Sequence, residues 1–294
     1  MRRLPIALIL AALLPLGACR HVPPQAAAPT GPVATSPTVA ADDNLNAVVW
    51  VQRSVEYRTA TTGIYRAAAA RLDAVLASGE DALDPAERQP APSVPLPPAV
   101  VMDVDETVLD NSPYQARLVA DGGEYADASW DRWVAEGRAR AVPGVLEFAR
   151  AAEARGVTIL YISNRGAHLK DATLANLRAV GMPVANEHVF YGLGMDVPGC
   201  EQKGSEKLCR RRLAAGQYRI VMQFGDQLGD FVQVARNTPA ARAAQAAQHD
   251  AWWGDRWWML PNPTYGSWEP ALFDNQWRLP REERRRIKRE SLEK

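Results

Sequence analysis

Four largely apolar stretches punctuate the middle of the chain, and each gives way to a short polar turn. Ala99–Met102 leads into Asp103-Val104-Asp105-Glu106-Thr107, and Val157–Ile162 leads into Ser163-Asn164-Arg165-Gly166. Tyr218–Phe224 leads into Gly225-Asp226-Gln227-Leu228-Gly229-Asp230, and Trp257–Leu260 into Pro261-Asn262-Pro263. Apolar runs without alternation suit strands buried on both faces, as in a parallel sheet. Val189-Phe190-Tyr191 is a shorter candidate of the same kind. Helical patterns lie between them. After Asp42-Asp43-Asn44, residues Leu45, Val48, Val49, Val55 and Ile64 fall at helical spacing, and Ala-rich Tyr65–Leu76 continues the pattern. Two helices or one broken one are expected there, covering the sheet or forming part of a lid. Pro143-Gly144 opens a helix through Ala154 that Arg155-Gly156 closes, and Ala167–Val180 is stopped by Gly181. Lys203–Arg211 opens another. Strands alternating with helices predict an α/β fold with a mainly parallel sheet flanked by helices.

Two stretches break this rhythm. Residues 78–98 are dense in Pro and acids and read as a loop. Residues 112–140 are polar and aromatic, with Tyr114, Tyr125, Trp130 and Trp133. The two tryptophans are three apart and share a helical face, either packed into a core or presented as a cap to a planar ligand. A smaller helical, aromatic cap is therefore expected, within about 44–90 and 112–140.

The amino terminus has its own pattern: Met1-Arg2-Arg3, an apolar run from Leu4 to Leu16, then Leu16-Gly17-Ala18-Cys19. This is a secretory signal, too short to span a bilayer as a helix, and its last four residues match the lipobox of bacterial lipoproteins. The signal is assigned to residues 1–18, with lipidation of Cys19 as the anchor. Arg20 follows rather than Asp, so nothing marks the inner membrane and the outer membrane is expected, on its periplasmic or cell-surface face. Residues 19–42, rich in Pro, Ala and Thr, read as a flexible tether. Residues 43–275 form the expected domain, and 276–294, with Arg284-Arg285-Arg286 and Lys288-Arg289, a solvated charged tail.

Charge changes the picture little. Lys plus Arg and Asp plus Glu each number 34, so there is no global field favouring nucleic acid. Beyond Cys19 only Cys200 and Cys209 remain, as a disulfide or two free thiols. No His or further Cys lies near them to make a metal site.

The acids carry the chemistry. Asp103 and Asp105 end one strand, and period-two alternation points both to the same side. Asp226 and Asp230 end another, at a spacing that shares one face of a helical turn. Carboxyl ends of parallel strands are where open α/β sheets place ligands. Four converging carboxylates without His or Cys describe a hard-cation site, most naturally Mg²⁺. Ser163, before a helix, offers an anion site, and a lysine of 203–207 could reach a phosphate there.

Asp103-x-Asp105-x-Thr107-Val108, Ile162-Ser163-Asn164-Arg165 and Gly225-Asp226-x-x-x-Asp230 resemble motifs I, II and IV of the haloacid dehalogenase (HAD) superfamily. More narrowly, Asp103–Tyr114 with Gly225–Phe231 resembles the four-aspartate signature of the class C non-specific acid phosphatases. These form the outer-membrane lipoprotein e(P4) 5′-nucleotidase family. The likeness runs over about residues 44–272, through Val142-Pro143-Gly144, Lys207-x-x-Arg210-Arg211 and Leu260–Glu269. It implies a Rossmann-like HAD core, Mg²⁺, and hydrolysis of nucleoside monophosphates or aryl phosphates through an aspartyl-phosphate. By that resemblance Asp103 is nucleophile and metal ligand. Asp105 is general acid/base, lending its backbone carbonyl to the metal, and Asp226 completes the ligands. Asp230 stands behind, orienting water or Lys207. Ser163 and Lys207 hold phosphate, with Lys203 the weaker candidate lysine, while Asn164 and Arg165 shape the pocket. Trp130 and Tyr265 form an aromatic clamp on the leaving group, with Trp133 a rival to Trp130. The tryptophan-rich 249–258 section reads as core, as rim of the substrate pocket or as a dimer contact, and the family's dimers imply a homodimer with part of that section at its interface. Gln227 departs from the family's usual Asn, and Gly229 replaces a variable residue. Two other readings fit the same motifs: phosphotransfer to an acceptor, and a lipoprotein that captures nucleotides or cofactors without turnover. The latter has no use for Asp105.

Overall fold

In the computed structural model, which describes residues 42–88 and 94–294, the apolar runs become one parallel sheet. Cys19, the signal and nearly all of the tether lie outside the described residues. Helices α1 (Leu45–Arg53) and α2 (Val55–Ser78) come first, parted at Ser54, whose side chain caps α2 by accepting the Tyr57 N–H. Strand β1 (Pro98–Met102) follows, then β2 (Leu109–Asp110), α3 (Ser112–Asp121), α4 (Asp127–Glu136) and β3 (Arg140–Ala141). Next come α5 (Val145–Glu153), β4 (Thr158–Gly166), α6 (Lys170–Ala179), β5 (Phe190–Leu193), α7 (Leu208–Ala215) and β6 (Arg219–Gly225). The chain closes with α8 (Pro239–Gln248), β7 (Trp257–Met259) and α9 (Arg281–Glu290).

The sheet order is β5-β4-β1-β6-β7, every neighbour parallel. β1 is thus central, which is why Ala99 to Met102 are almost wholly buried. Helices α2 and α5 pack on each other and against the sheet, while α7 lies against β4 and β6 and α6 against β5. The α2–α5 crossing is close. Gly144 sits at φ +95°, and a Cβ there would stand 2.8 Å from the Thr62 Cα.

β2 and β3 pair antiparallel at either end of α3 and α4, forming a stem for the aromatic insert. Tyr114 meets Trp130 edge-on at 5.1 Å and Tyr125 packs on both rings. Within the described part of the expected cap region 44–90, α1 packs on this insert through α3, while α2 covers the sheet.

Two other expectations change, and one open reading is decided. The charged tail is docked rather than solvated. Arg285 pairs with Asp43 at 2.8 Å, Lys288 with Glu269 at 3.0 Å and Arg281 with Asp42 at 3.3 Å, and Arg284 is buried against Trp277 while bonded to Glu124. A charge run read alone carries no record of the acids it will meet. The tryptophan-rich section is largely core: Trp257 is fully buried, donates to the Ala82 carbonyl at 2.7 Å, and packs among His249, Phe231, Trp252 and Trp253. The helix expected from Lys203 begins only at Leu208, and the residues before it form a loop tied to the helix by a disulfide between Cys200 and Cys209, Cα to Cα 5.6 Å.

Candidate active site

The site forms where β1, β4 and β6 end. The ladder continues one residue past β1, since the Asp103 N–H donates to the Phe224 carbonyl at 2.9 Å. That bond fixes Asp103 beside the end of β6. The chain then turns sharply: Val108 and Leu109 both donate to the Val104 carbonyl, at 2.9 and 2.8 Å, and Glu106 takes φ +61°. Period-two alternation therefore stops at the strand's end, and the two first-motif acids hold separate partners.

Asp103 faces a buried lysine. Lys207 Nζ lies 2.5 Å from Asp103 Oδ1 and 2.6 Å from Asp230 Oδ1. Lys203 is exposed on the disulfide loop, so Lys207 is the lysine inside the site. Asp230 Oδ2 accepts the backbone N–H groups of Asp226 at 3.1 Å and Gln227 at 2.8 Å, which curls Gly225–Asp230 around its carboxylate. Any side chain at Gly225 would collide with Asp230, a Cβ coming within 2.3 Å. Asp226 Oδ2 in turn accepts from Gln227 Nε2 at 2.7 Å and Asn262 Nδ2 at 2.8 Å.

Asp105 belongs to a second cluster. Its Oδ1 accepts from Arg165 Nε at 2.9 Å and Asn111 Nδ2 at 2.8 Å, and its Oδ2 from Ser163 Oγ at 3.3 Å. Arg165 also donates to Asn111 Oδ1 at 3.2 Å, beneath the Trp130 ring, whose centroid lies 5.6 Å from the guanidinium carbon. Strand β4 runs on to Gly166 rather than ending at Ile162, with a register shift against β5 that carries Ser163 and Arg165 to this cluster.

The expected convergence of four carboxylates is thus corrected to three. Asp103, Asp226 and Asp230 bring carboxylate oxygens within 4.8 Å of one another, while the Asp105 carboxylate is held aside by Arg165. Asp226 and Asp230 meet through a tight turn, not a helical face, since only Leu228–Asp230 is helical and that as a single 3₁₀ turn.

Burial and the Asp230 charge push Asp226 up to about 7. Burial raises Asp103 well above the carboxylate range, against the pull of Lys207. Burial alone would lower Lys207, but Asp103 and Asp230 carry it above its ordinary value. Three buried acids share one lysine, leaving an excess of negative charge among oxygen donors. That donor set fits a hard divalent cation. Asp103 and Asp226 would hold it, since both Asp230 oxygens are already bonded.

The aromatic candidates separate by burial. Trp130 is half-buried and lies over Arg165. Trp133 is 2% exposed, and its Nε1 donates to Asn111 Oδ1 at 2.7 Å. It has no free face to offer a ligand and is corrected to a support for Asn111. Tyr265 is half-buried, its hydroxyl donating to Glu106. Asn164 is exposed and accepts from Arg210 Nη2 at 2.7 Å.

Several members of the site carried no role in the sequence reading. Arg210 is fully buried and also donates to the Ser163 carbonyl at 2.5 Å, while Arg211 grips Glu87 at 2.6 Å and donates to the Gly229 carbonyl at 2.9 Å. These two arginines brace motifs II and IV from behind. Asn111, Glu106, Gln227 and Asn262 sit beside the acids in the same way. Their only sequence signal was membership of the stretches that carry the resemblance.

Comparison with known proteins places this geometry. The family described as HAD superfamily, subfamily IIIB (acid phosphatase), matches residues 19–268. A solved class C acid phosphatase from Bacillus anthracis with tungstate bound is 34% identical, with a TM-score of 0.73, over 85% of this chain and 97% of that one. A second structure of that class from the same organism, 33% identical, superposes equally well. Among curated proteins, a stem 31 kDa glycoprotein of Glycine max is 27% identical over 56% of this chain, and acid phosphatase 1 of Solanum lycopersicum 26% identical over 45%. The chain spans 58% and 51% of the lengths of those two relatives.

Proposed function

The chain belongs to the acid phosphatases of HAD subfamily IIIB, and from that premise we propose that it is a Mg²⁺-dependent phosphomonoesterase acting on nucleoside monophosphates or aryl phosphates. The observation that carries this reading is the division of acids between two clusters. Asp103 stands against a buried lysine among three carboxylates, and Asp105 is held apart by Ser163, Arg165 and Asn111.

Asp103 attacks phosphorus, and the bond from phosphorus to the ester oxygen breaks. Asp105 protonates that departing oxygen, then takes a proton from the water that attacks the aspartyl-phosphate, freeing Asp103 and phosphate. Lys207 and Ser163 hold the non-bridging oxygens, and Arg165 fixes the orientation of Asp105. Mg²⁺, when bound by Asp103 and Asp226 with the Asp105 carbonyl, supplies positive charge to offset the carboxylates and the phosphoryl group. Trp130 and Tyr265 form the walls for a planar leaving group. The same reading includes a lipid anchor on Cys19, outer-membrane localisation and a homodimer, for which the support is sequence pattern and family.

The test is turnover of nitrophenyl phosphate and of a nucleoside monophosphate panel with Mg²⁺. Turnover should be abolished by chelator and lost in Asp103→Asn with the fold retained. Full turnover in that variant would remove Asp103 as nucleophile, and binding without turnover in the wild type would favour the capturing lipoprotein.

A further inference from the structure

Tyr265 is held at both of its ends by residues that directly follow catalytic aspartates in sequence. Its hydroxyl donates to Glu106 Oε2, and Glu106 follows Asp105. Its backbone carbonyl accepts from Gln227 Nε2 at 3.2 Å, and Gln227 follows Asp226. Neither neighbour is placed there by chance of exposure. Glu106 is 3% exposed and takes a left-handed backbone, and its other oxygen accepts the Asn111 N–H at 2.8 Å. Gln227 uses its whole amide. Nε2 also bonds Asp226 Oδ2 at 2.7 Å, and Oε1 accepts the Ser267 N–H at 2.9 Å. The loop accommodates it through Gly266, where a Cβ would come within 2.3 Å of Gln227 Oε1. Asn262 closes the circuit, bonding Asp226 from the amino-terminal side of the same loop.

We infer that Glu106 and Gln227 are positioning residues that fix the Tyr265 ring in register with the two acidic turns, and so set the preference for aromatic over aliphatic phosphate esters. The inference rests on the phosphomonoesterase reading above and deepens it. A ring tethered only by its own loop samples several rotamers, and ordering it on binding costs affinity. A ring bonded at hydroxyl and carbonyl to the turns that carry Asp105 and Asp226 arrives already placed relative to the reacting phosphorus. Only an ester with a planar group gains from that placement. A small aliphatic ester does not reach the ring and should lose less when the tethers are cut.

The experiment compares nitrophenyl phosphate with glycerol 2-phosphate in the full chain and three variants: Tyr265→Phe, Gln227→Leu and Glu106→Gln. Tyr265→Phe removes one oxygen and keeps the ring and its packing. The aryl-over-alkyl ratio of kcat/KM should fall about tenfold in Tyr265→Phe and Gln227→Leu, mostly through KM for the aryl ester, as the loss of one or two hydrogen bonds implies. In Glu106→Gln the amide oxygen can take the Asn111 N–H while the amide nitrogen donates to the Tyr265 hydroxyl, so the tether survives and most of the ratio should be retained. Equal losses on both esters, or an unchanged ratio in the first two variants, would overturn the inference while leaving the phosphatase reading standing. A wild type that turns over neither ester would overturn that reading, and the inference with it.

Discussion

Replacing Lys207 by Met isolates the electrostatics on which the site depends. The side chain is 5% exposed and its ammonium bonds Asp103 at 2.5 Å and Asp230 at 2.6 Å. At an effective dielectric constant of about 20, each such pair is worth roughly 6–7 kcal/mol of attraction, set against several kcal/mol for stripping water from the ammonium. Methionine keeps the volume and removes the charge, leaving three carboxylates within 4.8 Å of one another without a counter-charge among them. Breaking buried pairs of this kind costs about 3–5 kcal/mol. In a domain of this size that lowers the melting temperature by roughly 10 °C. The loss must depend on pH. Asp226 titrates at about 7 in the folded chain, above its ordinary 3.8, and Asp103 is raised as well. The folded state therefore binds protons more readily than the unfolded one between pH 4 and 7. Lys207→Met should therefore cost less at pH 5, where Asp226 is neutral, than at pH 8, where Asp226 is ionised and adds its charge to the uncompensated cluster. Calorimetry in chelator at both values, wild type beside variant, reads this directly. Adding Mg²⁺ at pH 8 should recover part of the loss. An equal loss at pH 5 and pH 8 would refute the electrostatic account and leave only a packing defect.

Three further outcomes follow from the same geometry. In the wild type with chelator, stability should fall as pH rises from about 4 to 7, by a few kcal/mol, and Mg²⁺ should flatten that slope; a thermal melt series at several pH values checks it. Trp133→Phe removes the shorter of the two donors to Asn111 Oδ1, leaving Arg165, and trims a buried indole, and should cost about 1–3 kcal/mol in urea unfolding, whereas Trp130→Ala should cost less stability and raise KM for aryl esters. Reduction, or Cys200→Ser with Cys209→Ser, opens a loop of nine-residue separation and should cost roughly 2–3 kcal/mol by the loop-entropy relation, measurable as a shift in urea midpoint.

Much of this molecule is legible in its pattern. The apolar runs 99–102, 218–224 and 257–260 become neighbouring strands because a stretch without polar alternation has no stable place except between two covered faces. Asp103 and Asp226 follow as acids at strand tips, and Ser163 and Lys207 as the groups beside them, because their spacing from the runs is fixed along the chain. The family and fold were equally open to reading, since the acidic motifs are short and contiguous.

What tertiary structure alone decided is everything that depends on direction. Sequence spacing placed Asp105 with Asp103, but the chain turns on the Val104 carbonyl at the end of the strand, and the Asp105 carboxylate meets Arg165 and Asn111 instead. Trp130 and Trp133 were interchangeable by spacing, and only packing buried one and left the other over Arg165. The charged tail looked solvated until Asp42, Asp43, Glu124 and Glu269 were found opposite it. Periodicity records which residues must leave water. It holds no record of partners distant in the chain, and hydrogen bonds and ion pairs are directional contacts between such partners.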